Sequence, residues 1–217
     1  MSSVLAVLFV DTSDRGEKVR LQVLMVMLLC AQESLDLLWT RCTAFAAEPA
    51  CGSEWTGIKD GLDAAAHKVD LGFITEASIF GLTQIPRPKL KNVRPRTPAE
   101  VLVYRLTNVR FVLKKHETDS DYHIVVRDDA GRTMIVESVD PECAAHSYWR
   151  TLIRDVRDEI DREKLVEGED VTVVGPGFLD KLHGQTGVAP NGIELHPILG
   201  WCAGADCDPV GLNGHFP

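Results

Sequence analysis

A mainly β chain with one helix between its third and fourth strands, closing into an OB-like five-stranded Greek-key barrel over residues 101–201, is the fold this sequence predicts. Three observations predict it. Five strand-like segments and a helix run in the order strand, strand, strand, helix, strand, strand; the first strand changes phase midway; a tight glycine turn joins the second and third. Such barrels serve binding modules and a few hydrolases alike, so architecture is narrowed more than activity.

The first strand, Val101 to Lys114, carries its apolar phase on Tyr104 and Leu106 and then on Val109, Phe111 and Leu113, a slip that implies a bulge. A bent first strand lets a small sheet curl and pair with itself. Tyr122, Ile124 and Val126 form the inward face of the second strand, with His123 and Arg127 on the other side. Asp128-Asp129-Ala130-Gly131 makes the turn, and Thr133 to Val139 returns as the third strand. Ser147 is placed to cap a helix in which Trp149, Leu152, Ile153, Val156 and Ile160 recur at helical spacing, a stripe suited to plugging one end of the barrel. Val171 to Val174 is the fourth strand, with Gly175-Pro176-Gly177 expected to stop it. Ile193, Leu195, Pro197, Leu199 and Trp201 mark one face of the last strand; Pro197 lacks an N–H, so this strand should lie at an edge or break its ladder there.

The 217 residues, 45% of them hydrophobic, suffice for one domain with extensions. Residues 47–100 read as an N-terminal arm and linker, its Pro86 to Pro98 stretch holding four prolines and five basic residues; residues 202–217 read as a tail. The net charge of −9 conceals nine Lys or Arg against the single Glu100 between Arg87 and Lys115. That local excess could hold an anion, although a solvated arm is the simpler reading.

Residues 1–46 resemble a leader: Lys18 and Arg20 precede the apolar run Leu21 to Ala31, and Ala44-Phe45-Ala46 fits a small-x-small cleavage site. The run is short for a stable membrane span, and a buried helix is the competing expectation. Cleavage would leave Cys51, Cys143, Cys202 and Cys207, an even number suited to disulfides outside the cytoplasm. Four cysteines permit three pairings; the arm position of Cys51 and the flexible small-residue tail favour Cys51 with Cys143 and Cys202 with Cys207. The spacing does not suit structural zinc.

The strings Asp119-Ser120-Asp121-Tyr122-His123, Gly131-Arg132-Thr133-Met134-Ile135-Val136-Glu137 and Val139-Asp140-Pro141-Glu142-Cys143 resemble an uncharacterised family of secreted bacterial proteins. The run from Phe178 to Pro197, with His183-Gly184-Gln185-Thr186-Gly187 and Gly192-Ile193-Glu194-Leu195-His196-Pro197, is similar to it too. A weaker likeness lies at Cys51-Gly52, Trp55, Lys59 and Asp63, with Asp60 departing from the threonine expected after the lysine. The resemblance implies export and a compact β-rich domain, and brings no activity, substrate or catalytic residue.

Chemistry therefore rests on the residues. Glu194 and His196 share a strand face, and a loop could bring His183 beside them, which would give two imidazoles and a carboxylate for a transition metal with a position left for water. Against this, His183 suits a role capping backbone groups in a Gly-rich loop, and His196 suits a solvated one. Asp119 and Asp121 resemble the Asp-rich turn of thermonuclease-like OB enzymes, where they would hold calcium while Arg127 or Arg132 met a phosphate; the Arg-Leu-x-Gly pattern of those enzymes is missing, and a plain turn accounts for them. No Gly-x-Ser-x-Gly elbow, P-loop or Gly-x-Gly-x-x-Gly is present. Nucleic-acid binding is not expected, because the second and third strands offer only Tyr122 as a stacking aromatic.

The expectation is an exported binding or interaction module without a cofactor, recognising an unknown ligand or protein partner through His183, Gly184, Gln185, Asn191, Glu194 and His196. The residues lean against an enzyme; the alternative is a metal-dependent phosphodiesterase or nuclease on the same scaffold, using His183, Glu194, His196, Asp119 and Asp121.

Overall fold

The structure is a computed structural model that describes residues 50–52, 55–204 and 207–212. The leader-like run and its cleavage site lie outside the described residues. The protein is mainly β. Among the described residues there are eight strands: β1 (Ile74–Ala77), β2 (Val103–His116), β3 (Tyr122–Arg127), β4 (Thr133–Ser138), β5 (Asp170–Leu179), β6 (Ile193–Leu195), β7 (Gly200–Ala203) and β8 (Val210–Gly211). In the same residues three α-helices accompany them: α1 (Thr56–Lys59), α2 (Ile79–Thr83) and α3 (Arg150–Arg162).

Strands β2, β3, β4, β6 and β5 close a mixed five-stranded barrel, because β2 pairs with both β3 and β5. All its ladders are antiparallel except β4 with β6, and α3 lies between β4 and β5 in the chain. This is the expected OB-like arrangement. β2 bends where the sequence slips: its register against β5 shifts between Leu106 and Val109, and Asn108 there takes a positive φ of 55°, a conformation asparagine tolerates.

The barrel interior is apolar. Leu106, Val109, Phe111, Ile124, Val126, Met134, Val136, Val173 and Leu195 meet Val156 and Ile160 of α3 there, with Tyr122 packed partly against them. Trp149, at the N-cap of the helix, and Ile153, in its first turn, instead join a second cluster with Val103, Val174, Leu199 and Leu212. Ser147 accepts from the Trp149 amide at 3.0 Å, and the helix proper begins at Arg150.

Three features depart from the expected elements. Gly175-Pro176-Gly177 does not end the fourth strand, since β5 runs through it to Leu179. Those glycines permit contact between backbones: a Cβ on Gly175 would lie 2.6 Å from the Pro197 carbonyl oxygen, and one on Gly177 2.8 Å from that of Ala99. The last strand divides at Pro197 into β6 and β7, which pair with successive stretches of β5 with two extra residues between them. The Pro86–Pro98 stretch is a clamp rather than a free linker. Arg87 donates to the Asn191 carbonyl at 2.7 Å, Arg94 forks onto Glu100 at 2.6 and 2.7 Å, and Arg96 reaches Asp63 at 2.7 Å and the Ile58 carbonyl at 2.8 Å.

Cys51 is joined to Cys143 and Cys202 to Cys207, as expected, with Cα separations of 5.4 and 6.1 Å. Both bonds suit an oxidising, extracytoplasmic environment. No helix among the described residues is long and apolar enough to cross a membrane.

Ile153 is 1% exposed, so Ile153→Ala should destabilise by about 2–5 kcal/mol in urea unfolding. Burial alone would raise the Glu100 carboxyl, but hydrogen bonds from Arg94 and the Thr97 and Leu179 amides prevail and hold its pKa below the ordinary 4.5. A depressed carboxyl contributes stability above its unfolded pKa and loses it as pH falls through the folded value. Glu100→Gln should therefore lower stability near neutrality and flatten the loss below about pH 4.5; thermal melts across pH 2–7 measure both.

Candidate active or binding site

The outer wall of the barrel is buried over β3, β4 and β6. Strand alternation places Ile124, Val136 and Leu195 inward, so His123, Glu137 and Glu194 face outward. His196 follows on that side. None of the four is more than 7% exposed, because two segments cover them. One is the loop 180–192, packed so closely that a Cβ on Gly187 would fall 2.5 Å from Val125. The other is the N-terminal segment carrying α1, fastened by Cys51–Cys143 and by Gly61, whose positive φ of 68° lays the backbone against the Trp149 ring.

Glu137 joins these layers. It accepts from His196 Nδ1 at 2.9 Å and His123 Nδ1 at 3.2 Å, and pairs with Lys59 Nζ at 3.5 Å. His123 spends its other ring nitrogen on the Thr186 carbonyl at 2.9 Å. His196 Nδ1 also lies 3.2 Å from Glu194 Oε1. Its Nε2 is buried without a hydrogen-bond partner and faces Asp121 Oδ2 at 3.7 Å. Asp121 is held by the Asp140 amide, which donates to Oδ1 at 3.0 Å. Asp60, at the end of α1, brings a fourth carboxylate: one atom each of Asp60, Asp121 and His196 lie within 4.8 Å of one another. Phe178 closes one side, its ring 5.7 Å from the imidazole.

The titration of this layer follows from burial set against charge. Desolvation raises Asp60 to about 6 and Asp121 and Glu194 to about 7, with the carboxylates beside them adding to it. Burial also works against the charge on Glu137, but hydrogen bonds from His123 and His196 and the field of Lys59 hold its carboxyl well below the ordinary range. Burial and Lys59 oppose a proton on His196, yet Glu137 and Glu194 raise it to about 10. Burial likewise opposes the Lys59 charge; Glu137, Glu194, Asp121 and Asp180 outweigh it and raise its pKa.

Above the layer opens a cleft of about 280 Å³. Six carboxylate side chains line it, Asp60, Glu117, Asp119, Asp121, Glu137 and Asp180, and Lys59 and His183 are the basic groups on its wall. Gly52 lies against Asp119, where a Cβ would come 3.2 Å from Oδ2.

Of the residues singled out by sequence, Glu194, His196 and Asp121 meet in the buried layer. Asp119, His183 and Gln185 line the cleft above it. His183 stands on the rim with its side chain 62% exposed, 3.4 Å from Asp180 Oδ2, and does not share a ligand cluster with Glu194 and His196. Gln185 donates to Asp180 Oδ2 at 2.8 Å. Gly184 turns the loop at φ 81°. Asn191 braces the loop by donating to the Leu82 and Ile85 carbonyls, both at 3.0 Å. Arg127 and Arg132 sit at the far end of the β3–β4 hairpin, where Arg132 pairs with Asp128 at 2.7 Å. Sequence reasoning passed over Lys59, Asp60, His123 and Glu137 as site residues. The one signal for Glu137 is a lone carboxylate closing the apolar run Met134-Ile135-Val136.

Non-reducing peptide maps should show the two disulfides as described. The chain-entropy account gives about 4.6 kcal/mol for the bond spanning 92 residues and about 2 kcal/mol for the bond spanning 5. Cys51→Ser/Cys143→Ser should accordingly lower stability more than Cys202→Ser/Cys207→Ser in denaturant melts.

Compared with family models, curated proteins and solved structures, the chain matches none.

Proposed function

We propose that this chain is an exported binding module that takes a small cationic ligand into the cleft between the N-terminal segment and the outer wall of the OB-like barrel. One observation carries the reading: six carboxylates converge on the cleft against Lys59 and His183, so its field attracts positive charge. Asp180, His183 and Gln185 form one wall, which gives the start of the Gly-rich loop a role in recognition. The two disulfides support the exported setting.

The second reading is a metal-dependent phosphodiesterase, and the proximity of Asp60, Asp121 and His196 is what favours it. A phosphodiester would meet those carboxylates without a guanidinium to balance its charge, since no arginine is among the described residues that line the cleft. The binding reading therefore stands first.

Calorimetric titration of the oxidised protein with agmatine and spermidine, in the presence of chelator, tests it. At least one amine should bind saturably, about tenfold more weakly after Asp119→Asn/Asp180→Asn and more weakly at high salt. Binding of inorganic phosphate without binding of either amine would overturn the reading. Turnover of bis(4-nitrophenyl) phosphate with calcium, zinc or magnesium would move the phosphodiesterase to first place.

A further inference from the structure

We infer that Asp60, Asp121 and His196 bind one divalent transition-metal ion at the floor of the cleft, through His196 Nε2 and one oxygen of each aspartate, with a further coordination position open to the cleft. The inference deepens the reading of the cleft as a cation site by naming the ion that would lie deepest within it.

The imidazole carries the argument. His196 is 0% exposed and both of its nitrogens are accounted for differently. Nδ1 faces Glu137 Oε2 at 2.9 Å and Glu194 Oε1 at 3.2 Å, which fixes a proton there and the ring's orientation. Nε2 has no hydrogen-bond partner, and a buried polar atom left so is costly. The same division of labour is made by metal-binding histidines, which give one nitrogen to the ion and the other N–H to a carboxylate that holds the ring.

The atoms facing Nε2 suit an ion better than a hydrogen bond. Asp121 Oδ2 stands 3.7 Å away, too far to accept a proton from it. Two ligand atoms each about 2.1 Å from a shared zinc ion lie roughly 3.4 Å apart at the tetrahedral angle, so little movement is required. Asp121 Oδ1 is already engaged by the Asp140 amide, which aims Oδ2. Asp60 completes the triangle within 4.8 Å. The other two groupings of acids and imidazoles lack such a vacancy: both nitrogens of His123 have partners, and Glu137 and Glu194 are occupied by His196 Nδ1.

Charge and ligand type indicate the class of ion. Asp60, Asp121, Glu137 and Glu194 crowd one buried layer against the ammonium of Lys59 and the imidazolium of His196; a dication bound at Nε2 takes the place of the imidazolium's second proton, which is released, and keeps the carboxylates paired. An imidazole with two carboxylates favours zinc or manganese over calcium, which prefers oxygen ligands throughout. Asp60 and Asp121 also line the cleft, so the ion has a route in and the open position faces an incoming ligand.

The test is equilibrium dialysis of intact, oxidised, chelator-stripped protein against zinc and, separately, manganese, with bound metal measured by mass spectrometry. One equivalent of at least one ion per chain is expected. Asp60→Asn and Asp121→Asn, close in shape to the native residues, should each weaken uptake at least tenfold, and Glu194→Gln by a smaller factor. His183→Ala should leave uptake unchanged. Cobalt loading should give a visible spectrum with a nitrogen ligand that His196→Gln abolishes; should that variant not fold, the two aspartate variants still decide. Less than about 0.2 equivalents of either ion, or uptake that survives both aspartate changes, overturns the inference. Amine binding without metal uptake would sink the metal site and spare the cationic cleft; metal uptake without amine binding would do the reverse.

Discussion

The carboxylate of Glu137 is the point on which the arrangement of this molecule turns. It stands on the outer wall of the barrel and receives His123 from the neighbouring strand, His196 from the bend after β6, and Lys59 from the N-terminal segment. A buried carboxylate with three cationic or hydrogen-bonding partners is tolerable; one deprived of them is not. The wall, the bend and the arm are thus tied together by a single charge that none of the three could bury alone.

The arm reaches that position through constraints placed along its length. Cys51 is bonded to Cys143, Gly61 folds against Trp149, and Arg96 bridges Asp63 and the Ile58 carbonyl. Arg94 binds Glu100 beneath the rings of Trp55 and Phe178. Much of the basic excess of this region is therefore spent on internal pairing, which leaves the acidic cleft as the stronger electrostatic feature of the surface around it.

The barrel was legible because its inner face obeys simple periodicities. The alternation of Tyr122, Ile124 and Val126, the phase slip before Val109 and the helical stripe ending at Ile160 each map onto observed elements. The Gly175-Pro176-Gly177 segment stays in the strand because the local turn preference of these residues is overridden by close packing against Pro197 and Ala99. The site was only half legible. Glu194 and His196 are two apart on one strand, so their proximity follows from the pleat. Asp60 and Asp121 lie far apart in the chain and meet only because a disulfide and a glycine turn lay one over the other. No local pattern encodes that meeting. His183, which precedes Glu194 by a loop of ten residues, stands at the rim instead.

The double burial of β3 and β4 has a consequence for how this protein tolerates change. A strand with one wet face offers every second position as a place where substitutions are nearly free. Here Ile124 and Val126 fill the barrel while His123 and Val125 are sealed beneath the arm and the loop, and Met134 through Ser138 are all buried. Systematic mutagenesis along these strands would give an unbroken band of intolerance, apolar in demand over Ile124–Val126 and Met134–Val136 and polar at His123 and Glu137, instead of the usual two-residue rhythm.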